Sequence, residues 1–121
     1  MFAFGDKEWP GLAKLNEESG ELVQVIGKLM MTHGNRKYWE NVDLRQCLIE
    51  EMADQAAAIG FVVDHVLTEN EILAFEERRA QKRARFEQWH SEQMCERNGE
   101  VERLKREQAA LVRVLGENTP P

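Results

Sequence analysis

The sequence predicts an all-α fold, a helical bundle of about four helices, on three observations. Only three prolines occur among the 121 residues, one near the start and two at the very end, so no proline interrupts the interior. Apolar residues recur at spacings of three and four over long stretches, whereas no stretch alternates apolar and polar residues as a strand does. A chain of this length forms one domain with a modest core, so a partner subunit would help to cover its apolar surface.

The first helix is predicted to begin at Pro10, because proline is favoured in the first helical turn. It runs to about His33, where Gly34 and Asn35 supply a left-handed cap. The apolar positions that should face the core are Leu12, Leu15, Leu22, Ile26, Leu29 and Met30.

The second helix follows a connector over residues 34–42 that is rich in basic and aromatic side chains and is a possible ligand contact. Asp43 with Gln46 resembles a capping box, so the helix should begin there and run to about Leu67. Its inward positions are predicted to be Leu44, Leu48, Met52, Ile59, Val63 and Val66.

Two further helices are predicted in the second half of the chain. Thr68 with Glu71 forms another capping box, and the third helix should run from there to about Arg97. Asn98 and Gly99 then break the pattern, and a last helix spans residues 100–115. Its heptad-like apolar positions are Val101, Leu104, Leu111 and Leu115. We therefore expect a main domain over residues 1–97 and a C-terminal interaction helix and tail over 98–121, unless the last helix folds back on the third.

Composition narrows the possible partners and the location. Acidic residues outnumber basic ones by 22 to 16 and the net charge is −6, which argues against bulk nucleic-acid binding. Cys47 and Cys95 form no CxxC pair, which is typical of free thiols in a reducing compartment. Because no apolar run approaches the roughly 20 residues of a membrane span and no secretory signal is evident, we expect a soluble, cytoplasmic protein.

A short acidic pattern occurs twice. Residues 17–21 read EESGE and are followed by Ile26-Gly27, and 33 residues later 50–54 read EEMAD and are followed by Ile59-Gly60. Residues three apart are neighbours on a helix, so the pairs that project together are Glu18 with Glu21 and Glu51 with Asp54. If the two helices pack antiparallel, four carboxylates meet in a site suited to Mg²⁺, with Mn²⁺ as a substitute.

The alternative is that both pairs lie on solvated helix faces, where such spacings are common. The two acidic pairs stand at the same angle to the apolar stripe of their helices, and this repetition favours a metal site. The matched glycines, Gly27 and Gly60, are predicted to let the two helices approach closely near it.

The third helix offers cations that could complement the acidic residues. Its stripe of heptad spacing contains Ile72, Phe75, Arg79, Lys82, Phe86 and Trp89, and Arg83 and Arg85 flank it. We predict that Arg79, Lys82 and Arg85 bind phosphate groups, which arginine can do bidentately. The alternative is that they form structural salt bridges or reach out to solvent.

These motifs resemble those of the MazG-like all-α nucleoside triphosphate pyrophosphohydrolases, especially the compact forms of phages and bacteria. That family is marked by EExxE on one helix and ExxD on the next, here within KLNEESGELVQVIGKL and LIEEMADQAAAIGFVVDHV. The stretch RRAQKRARFEQW resembles its basic third helix, and the resemblance extends over residues 9–90. It implies Mg²⁺-dependent hydrolysis of a (deoxy)nucleoside triphosphate to the monophosphate and pyrophosphate, with active sites completed by oligomerisation, from helices of a homodimer or a dimer of dimers.

The resemblance also implies roles for individual residues. The metal ligands would be Glu18, Glu21, Glu51 and Asp54. Glu17 and Glu50 would orient or deprotonate the attacking water, unless they are surface residues. The base-binding residues are unknown, since the available aromatic side chains fit a core or an interface better; they are Trp9, Tyr38, Trp39 and Phe61.

Two other functions fit parts of the pattern. A di-iron carboxylate bundle uses two Glu-x-x-His motifs, of which Glu87 with His90 supplies one. A non-catalytic helical adaptor would keep its acidic patches solvated and bind a partner through the C-terminal helix.

Overall fold

A computed structural model describes residues 7–33 and 42–117, which form three helices. They are α1 (Leu12–Met31), α2 (Leu44–Val66) and α3 (Glu69–Glu117). The all-α prediction is therefore confirmed for the described residues, with three helices rather than about four. The chain divides into two compact units, Met1–Leu73 and Ala74–Pro121, which we describe separately. The predicted domain boundary at residue 97 stays a prediction.

Helix α1 begins two residues later than predicted because of the conformation of Gly11. This residue is the N-cap and has φ 87° and ψ −11°, a left-handed backbone that cannot belong to a right-handed helix. Pro10 thus lies in the preceding turn rather than in the helix. Gly11 is also buried, and a Cβ on it would lie 2.5 Å from Phe61 Cδ1 and 3.2 Å from Val62 Cγ2.

The end of α1 and the start of α2 are each fixed by a side-chain cap. Thr32 Oγ1 donates to the carbonyl oxygens of Lys28 and Leu29 at 3.0 and 3.2 Å, and His33 takes the left-handed conformation with φ 55°. The helix thus ends before Gly34 and Asn35, which lie outside the described residues. Asp43 Oδ1 accepts hydrogen bonds from the backbone N–H groups of Arg45 and Gln46, as an N-cap should.

Helices α1 and α2 pack antiparallel in the first unit. Gly11 near the start of α1 faces Phe61, and further along Gln55 Nε2 donates to Ser19 Oγ at 3.1 Å. As residue numbers rise along α1, those of the facing residues on α2 fall. This register sets which acidic residues of the two helices lie opposite each other.

The shared core of the two helices is small. Val25 and Leu44 are its buried apolar side chains among the described residues. Four residues predicted to face inward are instead well exposed: Leu12 (46 %), Ile26 (40 %), Met30 (73 %) and Met52 (54 %). The prediction of these four was wrong because two helices share a single line of contact, which is narrower than the apolar stripe on each.

The predicted packing role of the two matched glycines is also wrong. A Cβ on Gly27 or Gly60 would meet no atom within 4 Å, and both residues are exposed. The helix face that contains the glycines points away from the α1–α2 contact. The glycine that does allow a close approach is Gly11, which sequence periodicity did not single out.

Helix α3 begins with the predicted capping box and then continues without interruption. Thr68 Oγ1 accepts from the Glu71 N–H at 3.3 Å, and Glu71 Oε1 accepts from the Thr68 N–H at 2.9 Å. The backbone hydrogen bond from Thr68 lowers the pKa of the Glu71 carboxyl. None of the described helices is both long and apolar enough to cross a membrane.

The predicted break at Asn98 and Gly99 does not occur, since both residues lie inside α3. A glycine in a helix costs about 1 kcal/mol relative to alanine, which the good helix formers on either side outweigh. No atom lies within 4 Å of a Cβ placed on Gly99, so no tertiary contact favours a turn there. The third and fourth predicted helices are therefore one.

We expect Gly11→Ala to lower the free energy of unfolding by about 1–3 kcal/mol, because alanine is strained at positive φ and its Cβ would crowd Phe61. Gly27→Ala is the matched control: it adds the same methyl group to an open helical position and should stabilise by up to about 1 kcal/mol. Urea denaturation measures both. Equal effects of the two substitutions would contradict the role given to Gly11.

Candidate metal centre

The two acidic segments converge at the contact between α1 and α2. One carboxylate oxygen each from Glu18, Glu51 and Asp54 lies within 4.8 Å of the other two. Glu18 and Glu51 are half-buried and Asp54 is exposed, so the group lies at the edge of the small core. Antiparallel packing brings these residues together although 33 residues separate Glu18 from Glu51.

Glu21, the fourth predicted ligand, is not one of the three converging carboxylates. After desolvation, interaction with Glu21 is the next cause of the raised pKa of both Glu51 and Glu18. Nearby like charges penalise the ionised forms, so a cation bound among these carboxylates would relieve the repulsion.

Burial and repulsion make two of the carboxylates hard to ionise. Desolvation raises the pKa of Glu18, and the charges of Glu21 and Asp54 raise it further. Desolvation likewise raises the pKa of Glu51, with additional contributions from Glu21 and Asp54. Burial and like charges both penalise the ionised form. A divalent cation would remove this penalty for both groups.

Two oxygens in the group have no hydrogen-bond partner. Glu18 Oε2 and Glu51 Oε2 are buried atoms, and no donor among the described residues reaches either of them. Buried polar atoms are nearly always satisfied, and an orphaned oxygen is commonly satisfied by a bound water or ion. These two oxygens belong to the same residues whose ionisation is penalised, so a cation bound there would satisfy both.

The donor set fits a hard cation. It consists of carboxylate oxygens, which suit Mg²⁺ and Mn²⁺, and includes no thiol or imidazole group among the described residues. Mg²⁺ binds oxygen at about 2.1 Å, so its ligand atoms stand roughly 3 to 4 Å apart. A spacing of up to 4.8 Å needs only small side-chain rotations to reach that range.

A pocket of about 370 Å³ adjoins the carboxylates. Its lining residues are Gly11, Lys14, Glu18, Asp54, Ala57, Ala58 and Phe61. Lys14 brings a positive charge to the pocket and donates to Glu17 at 3.0 Å, and this hydrogen bond raises the pKa of the Lys14 ammonium.

Sequence reasoning missed Lys14 as a site residue. The spacing in the sequence does indicate it, since Lys14 lies four residues before Glu18 and thus one turn away on the same helix face. Its presence in the pocket also depends on α2, whose Phe61 and Ala58 form the opposite wall. Spacing on α1 alone could not indicate that wall.

The two predicted catalytic residues differ in position. Glu17 is exposed, pairs with Lys14 and contributes to the raised pKa of Glu18, so it lies beside the group. Glu50 accepts a hydrogen bond from Gln46 Nε2 at 3.0 Å and is not one of the three converging carboxylates. Both roles stay predictions, and the geometry favours Glu17.

The predicted phosphate-binding residues belong to the second unit. Arg79 donates through Nε and Nη2 to Glu76 on its own helix, at 3.1 and 2.9 Å, so its ion pair is local. Lys82 and Arg85 line a small cavity of about 170 Å³ with Arg78 and Gln81. Their phosphate-binding role stays a prediction.

The other singled-out residues add no second site. Glu87 accepts from Arg83 at 3.1 Å and His90 is exposed, so this Glu-x-x-His match gives no sign of a di-iron site. Phe61 packs against His65 with ring centroids 4.1 Å apart, and Trp9 is 52 % exposed. Tyr38 and Trp39 lie outside the described residues.

Comparisons of the chain with protein-family models, with curated proteins and with solved structures find no match.

The raised pKa of Glu51 has a consequence for stability. A carboxyl whose pKa is raised on folding stabilises the native state below its ordinary pKa of 4.5, and this contribution is lost as the pH rises through the raised value. Without metal, Glu51→Gln should therefore melt above the parent protein at pH 7.5 and show no such gain at pH 4.5. Differential scanning fluorimetry in EDTA measures both.

Bound metal should make the parent protein melt above Glu51→Gln at pH 7.5. Mg²⁺ or Mn²⁺ is expected to raise the melting temperature of the parent protein at pH 7.5 and to have little effect on Glu51→Gln. Asp64→Asn, which removes one exposed acidic charge elsewhere on α2, serves as the control and should respond to metal like the parent. An equal response of all three proteins would count against the site.

Proposed function

We propose that this protein is a Mg²⁺-dependent nucleoside triphosphate pyrophosphohydrolase of the cytoplasm, similar in its acidic motifs to the MazG-like enzymes. The observation that carries the proposal is the convergence of Glu18, Glu51 and Asp54 beside a pocket that Glu18 and Asp54 line, with one oxygen each of Glu18 and Glu51 unpartnered. A triphosphate needs both parts of this site. Carboxylates hold the cation that accompanies its phosphates, and a cavity takes its organic part.

The pocket is lined by both charged and apolar side chains. Glu18, Asp54 and Lys14 are the charged ones, and Ala57, Ala58 and Phe61 are the apolar ones. The phosphates would lie beside the carboxylates and Lys14, and the nucleoside against the apolar side chains. A volume of about 370 Å³ lies within the range of small-molecule sites.

The chain's own residues would each contribute one part of the reaction. Mg²⁺ held by the four acidic residues supplies charge neutralisation and Lewis acidity at the phosphate oxygens when it is bound. Lys14, which lines the pocket, would donate to a phosphate oxygen and stabilise the pyrophosphate as it leaves. Glu17 is held at 3.0 Å by Lys14 and would accept the proton of the attacking water.

Assembly is part of the proposal, as a homodimer or a dimer of dimers. The first unit leaves large apolar side chains exposed on both of its long helices, among them Val23 (67 %), Ile49 (53 %) and Met52 (54 %). Arg79, Lys82 and Arg85, on the second unit, are the proposed further phosphate ligands.

The direct test is a panel of ribo- and deoxynucleoside triphosphates with Mg²⁺, scored for pyrophosphate release. We expect turnover of at least one nucleotide and at least a hundredfold loss of kcat/KM in Glu51→Ala, because removing a metal ligand weakens both metal binding and activity. Asp64→Ala is the control and should retain activity. Absence of turnover across the panel would refute the enzymatic proposal.

Lys14 offers a second, independent test. Lys14→Met keeps the length of the side chain but removes its charge, and we expect roughly a tenfold loss of kcat/KM from the missing phosphate contact. Lys28→Met makes the same change in the last turn of α1 and should leave activity unchanged. If the two variants behave alike, Lys14 does not contact substrate.

A second candidate function, the helical adaptor, is favoured by one observation. Every residue from 83 to 117 of α3 is exposed, which is typical of a helix that pairs with a partner. An inactive panel together with a metal-independent melting temperature would favour the adaptor.

A further inference from the structure

The distal part of α3 lacks a core of its own. The helix has 49 residues and a length of about 74 Å, yet it contains no buried residue. Large apolar side chains such as Leu104 (50 %), Leu111 (59 %) and Leu115 (61 %) are exposed along it. Most of the stability of a helix in a protein comes from packing of its apolar face, so this face requires a partner.

The apolar residues near the end of α3 follow a heptad repeat. With Met94 and Val101 at position a, Leu104 and Leu111 fall at d and Leu115 at the last a. Gln108 occupies the intervening a position, and Arg97, at the first d, marks where the apolar seam weakens toward the N-terminus. The central heptad has Val101 at a and Leu104 at d, the combination that favours a two-stranded, parallel coiled coil.

The charges beside this seam are complementary to a second copy in parallel orientation. Position g of one chain faces position e of the next heptad on its partner. Glu100 is at g and Lys105 at e, so a parallel, in-register pair of chains places Glu100 opposite Lys105 of the second copy, twice. Within one chain, Glu100 pairs with the exposed Arg103 at 3.9 Å. Lys105 pairs with the exposed Glu102 at 3.5 Å. Such pairs are weak and leave both charges available.

An antiparallel pair fits the same residues poorly. That arrangement faces g positions with one another, and Glu100 and Glu107, the g residues on either side of Leu104, are both acidic. Gln108 also favours the parallel, in-register arrangement, because it then meets Gln108 of the second copy and the two amides can hydrogen-bond. A polar residue at a single a position is known to fix register in this way.

We propose that residues 94–115 of α3 pair with the same segment of a second copy of this chain, as a parallel, in-register, two-stranded coiled coil. The inference does not depend on the proposed catalytic activity. The partner of this segment is thus the same segment of another copy of the chain. Three heptads make a short coiled coil, so the pairing should depend on protein concentration.

The geometry can be tested by disulfide cross-linking of the full-length protein in a background where Cys47 and Cys95 are replaced by serine. Facing a positions in a parallel pair are near the Cα separation of about 6 Å that a disulfide needs. Val101→Cys should therefore cross-link under mild oxidation, whereas Arg106→Cys, on the outer f position, should not. Equal cross-linking of the two variants, or none of either, would overturn the proposal.

Sedimentation equilibrium over about 1–500 µM protein tests the energetics. We expect Leu104→Asp to weaken association at least a hundredfold and Ala110→Asp, with the same carboxylate on the outer face, to leave it nearly unchanged. Lys105→Glu should weaken it roughly tenfold, and the double exchange Glu100→Lys with Lys105→Glu should restore it. A monomer mass at every concentration, or a double variant no better than the single one, would refute a parallel pairing.

Discussion

Mutual repulsion among carboxylates at the α1–α2 contact is the constraint on which the candidate site depends. The antiparallel register, marked by the Ser19–Gln55 hydrogen bond, sets acidic residues of the two helices against each other. Desolvation and like charge then raise the pKa of Glu18 and Glu51, and one oxygen of each has no partner. The donor set suits a hard divalent cation, which would offset this cost.

A second constraint is the shortage of core. Two helices in contact bury little, and among the described residues only Val25 and Leu44 are buried apolar side chains. Small domains with so little burial commonly depend on a partner subunit. The apolar residues left exposed on α1 and α2, and the heptad seam of α3, are where such partners would add the missing contacts. The candidate metal site and assembly would then be linked, because the helices that hold the carboxylates would be stabilised by association.

Sequence patterns predicted local structure correctly where residues that are neighbours along the chain determine it. The Thr68–Glu71 capping box, the Asp43 N-cap and the helical periodicity all have their expected structure. The pairing of Glu18 with Glu21 and of Glu51 with Asp54 follows from helix geometry alone. The break predicted at Gly99 does not occur. A single glycine disfavours a helix only weakly, and it cannot end one when the residues on both sides favour the helix and no tertiary contact favours a turn.

The sequence by itself determined that the chain is helical, where two of the helices begin, and that two acidic segments repeat one pattern. Tertiary structure decided the rest. It set the register that brings Glu51 to Glu18, the placement of Lys14 in a pocket closed by Phe61, and the burial of Val25 in place of Ile26. These features depend on which faces of two helices meet, and helical periodicity defines a face only to within about one residue. That choice rests on contacts between residues far apart in the chain, which no local pattern records.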